Sequence, residues 1–313
     1  MGKLAFIFSG QGAQSVGMGK ELAANFSCAN EVFEQASDAL GMDVKKLIWE
    51  SDEETLKITE NTQPAILTMS VAALRILEEK GIRADVVAGL SLGEYAAHIA
   101  SKSLKFDEAV CLVKKRGKYM QETVPVGIGA MAAILGLGSD DVIESCKAAS
   151  DVGIVEPANF NCPGQIVVAG EVMAVEKCCE IAKKRGAKRA MMLPVSAPFH
   201  CSMLKEAGLK LEKELENVNV YDMLLPLITN VTADYLNDKE QIKPTLVKQV
   251  SSSVRWEDSM RRMIADGVDT FVEVGPGKAL CGFMKKIDKE VKIYNVEDMA
   301  SLEMTLEGLE ARA

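Results

Sequence analysis

Residues 89–93 read Gly-Leu-Ser-Leu-Gly, a Gly-x-Ser-x-Gly run. The apolar stretch Val86-Val87-Ala88 precedes it and a helix-like run follows. Strand, sharp turn and helix with a serine at the turn is the nucleophile elbow, which would expose Ser91 above a sheet. A serine hydroxyl attacks only once a base takes its proton. The chain has two histidines, His98 and His200. His98 lies seven residues beyond Ser91 on the same expected helix, about 10 Å along its axis, and cannot reach back to the turn. We read it as a structural or surface residue. His200, in VSAPFHCSM, is the expected base.

No aspartate or glutamate declares itself as the group that holds the imidazole. In the α/β-hydrolase order the histidine comes last, after the acid, whereas here roughly a third of the chain follows His200. The standard hydrolase arrangement is therefore not expected, and a backbone carbonyl orienting a Ser–His dyad is the alternative. An oxyanion hole needs two N–H donors. The elbow supplies the amide of Leu92. The loop FSGQG after the first strand is placed to supply the second, with Gln11 as donor. Arg116, in VKKRGKYM, sits among Lys114, Lys115 and Lys118. That pattern fits a solvated helix end. It also fits a guanidinium that grips a carboxylate with two parallel hydrogen bonds.

The elements that must position these residues follow from the pattern along the chain. LAFIF (4–8) reads as a buried strand running into a glycine-rich turn. The stretch 64–81 reads as a helix with Pro64 in its first turn and Gly81 at its stop. DVVAG is the next strand, and 107–123 another helix. This alternation implies a parallel sheet covered on both faces. From 125 to 195 the order becomes βαββαβ, the ferredoxin-like unit, with Ser139 expected to cap its first helix. The expected architecture is α/β: an α/β-hydrolase-like parallel-sheet core over 1–124 and 196–313, with an inserted ferredoxin-like small domain over 125–195. Strand, turn and helix recur at TFVEVGPGKALCGFMKKI (270–287).

Composition narrows the function. A formal net charge of −9 argues against binding nucleic acid or an anionic membrane. The first strand is too short for a signal-peptide core or a membrane span, so a cytoplasmic location is expected. The eight cysteines include no C-x-x-C pair, and their spacings with the two histidines offer no zinc-ligand set, so no metal site is expected. They read as small buried hydrophobes, with Cys162 and Cys201 the only two to watch. GQGAQSVG fails the dinucleotide fingerprint, because Ser15 stands at its third glycine position.

FSGQGAQ, NTQPAIL, GLSLGEYAA, KKRGKYM, NFNCPGQIVVAG, SAPFHCSM, QVSSSVRW and VEVGPGKAL occur in this order. Together they resemble the malonyl-CoA:acyl-carrier-protein transacylase family, the free-standing bacterial type of fatty-acid synthesis, across nearly the whole chain. The resemblance implies a ping-pong acyltransferase that moves malonyl from malonyl-CoA to the phosphopantetheine thiol of acyl carrier protein. Ser91 would carry the acyl group and His200 would be the base. Gln11 and Leu92 would form the oxyanion hole, and Arg116 would bind the malonyl carboxylate. The Gln249 carbonyl would orient the histidine, with Gln63 and Asn161 near the site. Leu92 and Phe199 look like the malonyl-selecting versions of their positions. Leu90 departs from the family, where many members carry histidine, which points to altered packing behind the elbow. No metal or other cofactor is implied, since CoA and phosphopantetheine enter as parts of the substrates. A monomer is expected. Rival readings are a serine hydrolase, a binding module that lost its chemistry, and an acyltransferase that loads a polyketide carrier.

Overall fold

The computed structural model describes residues 2–195 and 197–310. Among the described residues, nine strands form two sheets. The first holds β1 (Lys3–Phe8), β2 (Val86–Gly89), β7 (Leu227–Ile228), β8 (Val268–Val274) and β9 (Lys292–Val296), in the order β7-β2-β1-β8-β9. All its pairings are parallel. Side chains of β1 alternate between two cores, as a period of two requires. Leu4, Phe6 and Phe8 join the larger core, while Ala5 and Ile7 join the core on the opposite face. Burial on both faces explains why these strands read as unbroken apolar runs.

The second sheet holds β3 (Gly129–Leu135), β4 (Val155–Cys162), β5 (Gln165–Glu171) and β6 (Arg189–Met192), in the order β4-β5-β3-β6. Its pairings are antiparallel. Helices Ser139–Ala149 and Val172–Lys184 cover one face and close a separate core. This is the expected ferredoxin-like order. Ser196, where the expected domain division falls, lies outside the described residues, as do Met1 and residues 311–313.

Two local expectations need correction. The helix expected to start at Pro64 starts at Thr59 and runs to Glu79, so Pro64 lies inside it. Proline withholds only its bond to the Glu60 carbonyl there, and the turn is fixed from outside. Thr62 Oγ1 donates to the Leu56 carbonyl at 2.6 Å, and Thr59 Oγ1 to Gln121 Oε1 at 3.0 Å. Ser139 does not cap its helix; Gly138 holds that position with no side-chain hydrogen bond. Asp140 and Asp141 supply the negative charge favoured in the first turn instead.

Parallel pairing brings the carboxyl ends of β1 and β2 to one edge, with Phe8 opposite Gly89. The loop 9–12 and the elbow therefore leave the sheet side by side. Gly93 permits this contact: a Cβ there would lie 2.2 Å from the Phe8 carbonyl oxygen.

Candidate active site

Ser91 stands between β2 and helix Gly93–Ala100 with φ of 54°. That left-handed backbone is unusual for a residue with a side chain and marks a strained turn. His200 is also left-handed, with φ of 61°. The two meet: His200 Nε2 lies 2.7 Å from Ser91 Oγ. His200 Nδ1 lies 2.9 Å from the Gln249 carbonyl oxygen. A carbonyl only accepts, so Nδ1 carries the ring proton and Nε2 presents a lone pair to the serine. No carboxylate touches this ring among the described residues. Burial, and then the Arg116 charge, push the His200 pKa down to about 4. The imidazole is thus neutral and able to accept a proton at pH 7.

Arg116 is buried, although lysines surround it in sequence. Helix Phe106–Glu122 explains this. Ala109, Val113, Arg116 and Met120 lie on its buried face at helical spacing. Lys114, Lys115 and Lys118 point outward and pair with Glu60, Glu214 and Glu122. Gly117 lets the helix cross the start of Thr59–Glu79 closely, since a Cβ there would meet the Thr59 carbonyl oxygen at 2.5 Å. The crossing brings Gln63 to Arg116, whose Nη1 donates to Gln63 Oε1 at 2.8 Å. Arg116 Nη2 donates to Gln249 Oε1 at 3.0 Å and to Ser91 Oγ at 3.3 Å. Among the described residues, no group accepts a hydrogen bond from the buried Arg116 Nε. An unsatisfied buried donor beside a nucleophile suits an incoming anionic acceptor.

Leu92 is fully buried behind the serine. Among the described residues, neither its N–H nor that of Gln11 is engaged by another group. The 9–12 loop lies against the elbow: a Cβ on Gly10 would sit 2.6 Å from the Leu90 carbonyl oxygen and 2.9 Å from Leu90 Cδ2. The Gln11 side chain turns to Thr59 Oγ1, at 3.4 Å. Phe199 precedes His200 and packs against both the larger core and the small sheet. Asn161 is buried near the end of β4 but makes no hydrogen bond to these side chains among the described residues. His98 is fully buried and lies 2.8 Å from Ser103 Oγ, so it is structural and not on the surface. Cys162 and Cys201 are both buried. No group of three or more His, Cys, Asp or Glu among the described residues is arranged to hold a metal ion.

Two residues escape sequence reasoning. Asn230 is buried, accepts the Ser91 N–H and donates to the Gly89 carbonyl. Glu94 Oε2 accepts the Asn230 backbone N–H at 2.8 Å, and burial pushes the Glu94 pKa up to about 7. Glu94 could have been suspected as the one acidic residue in GEYAAHIA, three residues after Ser91. Asn230 carries no such signal.

A strained serine, a neutral imidazole held by a carbonyl and a buried arginine at the same hydroxyl define a serine acyltransferase site. The chain belongs to the acyl transferase domain family, which matches residues 5–304. It is 45% identical over 310 residues to the malonyl CoA-acyl carrier protein transacylase of Bacillus subtilis strain 168, covering 99% of this chain and 98% of the relative. The solved malonyl CoA-acyl carrier protein transacylase from Clostridium perfringens is 48% identical, with a TM-score of 0.97 over 99% of this chain and 98% of that one. A malonyl-transacylase solved in complex with a type II PKS acyl-carrier protein is 41% identical, with a TM-score of 0.95 over 98% of this chain and 99% of that one. The resemblance drawn from the motifs therefore holds over nearly the whole length.

Proposed function

We propose that this chain transfers malonyl from malonyl-CoA to the phosphopantetheine thiol of acyl carrier protein through a malonyl ester on Ser91, for fatty-acid synthesis. The observation that carries this reading is the shared Ser91 hydroxyl, bonded to a neutral imidazole and reached by a buried guanidinium.

Arg116 holds the free carboxylate of malonyl-CoA. His200 Nε2 takes the Ser91 proton as Oγ attacks the thioester carbonyl. The Gln11 and Leu92 amides receive the oxyanion. The C–S bond breaks, the imidazolium returns its proton to the CoA sulfur, and malonyl stays on Ser91. The carrier thiol then gives its proton to His200 and attacks the ester, and Ser91 leaves with that proton. Gln249 orients His200, Gln63 steadies Arg116, and Leu92, Phe199 and Asn161 shape the acyl pocket. The chemistry draws on no resident cofactor. We further propose a cytoplasmic monomer with a core over 1–124 and 196–313 and a small domain over 125–195.

An acidic carrier needs a basic surface on this acidic chain. Lys183, Lys184, Lys188 and Arg189 are exposed and form no ion pair among the described residues. The docking patch we propose is 183–189, where Arg185 is held by Asp141, together with Lys114, Lys115 and Lys118, which are already paired with carboxylates.

Intact-protein mass spectrometry after brief mixing with malonyl-CoA, without carrier, tests the function. One malonyl adduct, absent in Ser91→Ala, is expected. Free malonate without an adduct would mean a hydrolase. One observation favours a second reading: a relative is solved with a polyketide-type carrier protein. Comparing transfer rates to fatty-acid and polyketide carriers separates the two.

A further inference from the structure

The sheet pairing fails where the nucleophile begins. β7 pairs with β2 through Val87–Leu227 and Ala88–Ile228, and there the ladder stops. Continued in the same register, it would set Asn230 opposite Leu90. The Asn230 backbone does not fill that place, because its N–H goes to Glu94 and its carbonyl to the Arg255 N–H. The side chain does. Asn230 Nδ2 donates to the Gly89 carbonyl at 2.7 Å, and Oδ1 accepts the Ser91 N–H at 2.6 Å. In a parallel ladder one residue bonds in this way to the two residues flanking its partner. The carboxamide stands in for a peptide unit at the missing position.

The groups around it close a ring. Glu94 lies one turn below Ser91 on the elbow helix and holds the Asn230 backbone at 2.8 Å. Gln249 Nε2 donates to the Ser91 carbonyl at 3.0 Å. Both ends of the Ser91 residue are thus gripped by side chains, at a left-handed backbone angle that a residue with a side chain rarely holds.

We propose that Asn230 is a positioning residue for the nucleophile: its carboxamide extends the β7–β2 ladder and locks Ser91 in the left-handed conformation that aims Oγ at His200, with Glu94 fixing Asn230. This deepens the proposed transfer and rests on Ser91 as its nucleophile.

The test compares wild type, Asn230→Ala and Asn230→Asp, each checked for folding by circular dichroism. Two rates are measured on Ser91: single-turnover malonylation and labelling by a fluorophosphonate. Misplacing the hydroxyl should slow the maximal malonylation of Asn230→Ala by about 100-fold. Acetylation and phosphonate labelling should slow by a similar factor, with the KM for malonyl-CoA near wild type. Asn230→Asp keeps the acceptor for the Ser91 N–H and loses the donor to Gly89, so it should fall between. Wild-type rates in either folded variant, or a raised KM with an unchanged maximal rate, would overturn the proposal. If Asn230→Ala does not fold, the isosteric Asn230→Asp decides. A wild type that takes the phosphonate but no malonyl would sink the transferase reading alone, and the phosphonate rates would still judge Asn230.

Discussion

Arg116 donates to the Ser91 hydroxyl through Nη2 at 3.3 Å, so the buried cation and the nucleophile meet at one oxygen before any substrate arrives. An acyl group on that oxygen must run past the guanidinium. A short acyl chain ending in a carboxylate can turn its negative end onto the unfilled Nε side. Removing one partner of such a buried charge pair costs roughly 3–5 kcal/mol. Arg116→Ala should therefore lose malonyl transfer by about 10²-fold to 10³-fold or more. Acetyl transfer should survive or improve. Parallel assays with malonyl-CoA and acetyl-CoA check this, and an equal fall in both would remove the carboxylate clamp.

The pH profile follows from the neutral imidazole. His200 holds its proton only below about 4, so the base is lost as pH falls through that value. The rate of Ser91 acylation should stay flat from neutral pH down to about 5 and drop below it. A free histidine base would already fail near 6.5. Stopped-flow acylation across this range decides between them, and a midpoint near 6.5 would contradict the buried neutral base.

Stability should also depend on acid through His98. Burial alone pushes its pKa down from 6.5 to about 3. Between those values the unfolded chain binds a proton that the folded chain refuses, so stability falls as pH drops. Buried Glu94 and Glu273, pushed up from 4.5 to about 7, act oppositely. They are protonated in the folded state, so stability falls as pH rises between those values. His98→Gln should make the change in stability from pH 6.5 to pH 5 more favourable than in wild type by about 2 kcal/mol. Urea titrations of both proteins at the two pH values measure the difference.

Gly93 offers a test of the elbow packing. A Cβ there would sit 2.2 Å from the Phe8 carbonyl and 2.9 Å from that of Ser9. These are backbone atoms and cannot swing aside. Gly93→Ala should destabilise the protein by about 1–3 kcal/mol and displace the loop that carries Gln11. The acylation rate should fall in the folded fraction as well. Thermal unfolding with active-site titration separates the two effects, and a fully active Gly93→Ala would show that the loop can move without cost.

Docking of the carrier is tested on the small domain. Reversing charge at Lys183 and Lys184 should raise the KM for acyl carrier protein and steepen no other parameter. Acylation from malonyl-CoA, which involves no carrier, serves as the internal control. An unchanged KM for carrier would remove 183–189 from the docking surface.

The parts of the fold that were legible carried strong periodic signals. β1 and β2 read as strands because both of their faces are buried, and 125–195 read as βαββαβ because each turn is punctuated. Ser91 was legible from its glycines, and His200 by elimination of His98. Arg116 was less so, because three lysines around it suggested a solvated end. Its spacing from Ala109, Val113 and Met120 held the answer, since those residues share its helix face. Pro64 misled because a proline inside a helix is tolerated when flanking threonines fix the preceding turn. Asn230 was not legible at all. Its role arises from a sheet register that joins it to Gly89 and Ser91, well over a hundred residues away.

Gln249 contributes to the site twice. Its backbone holds the His200 ring, while its side chain ties Arg116 to the Ser91 carbonyl. The histidine contact is a backbone carbonyl, which any residue at 249 would offer, whereas the arginine contact needs the carboxamide. A substitution at 249 therefore alters the surroundings of Arg116 directly and reaches the imidazole only if the backbone shifts. One position thus joins the cation and the imidazole through different parts of the same residue, so the backbone contact is retained under substitutions that abolish the side-chain one.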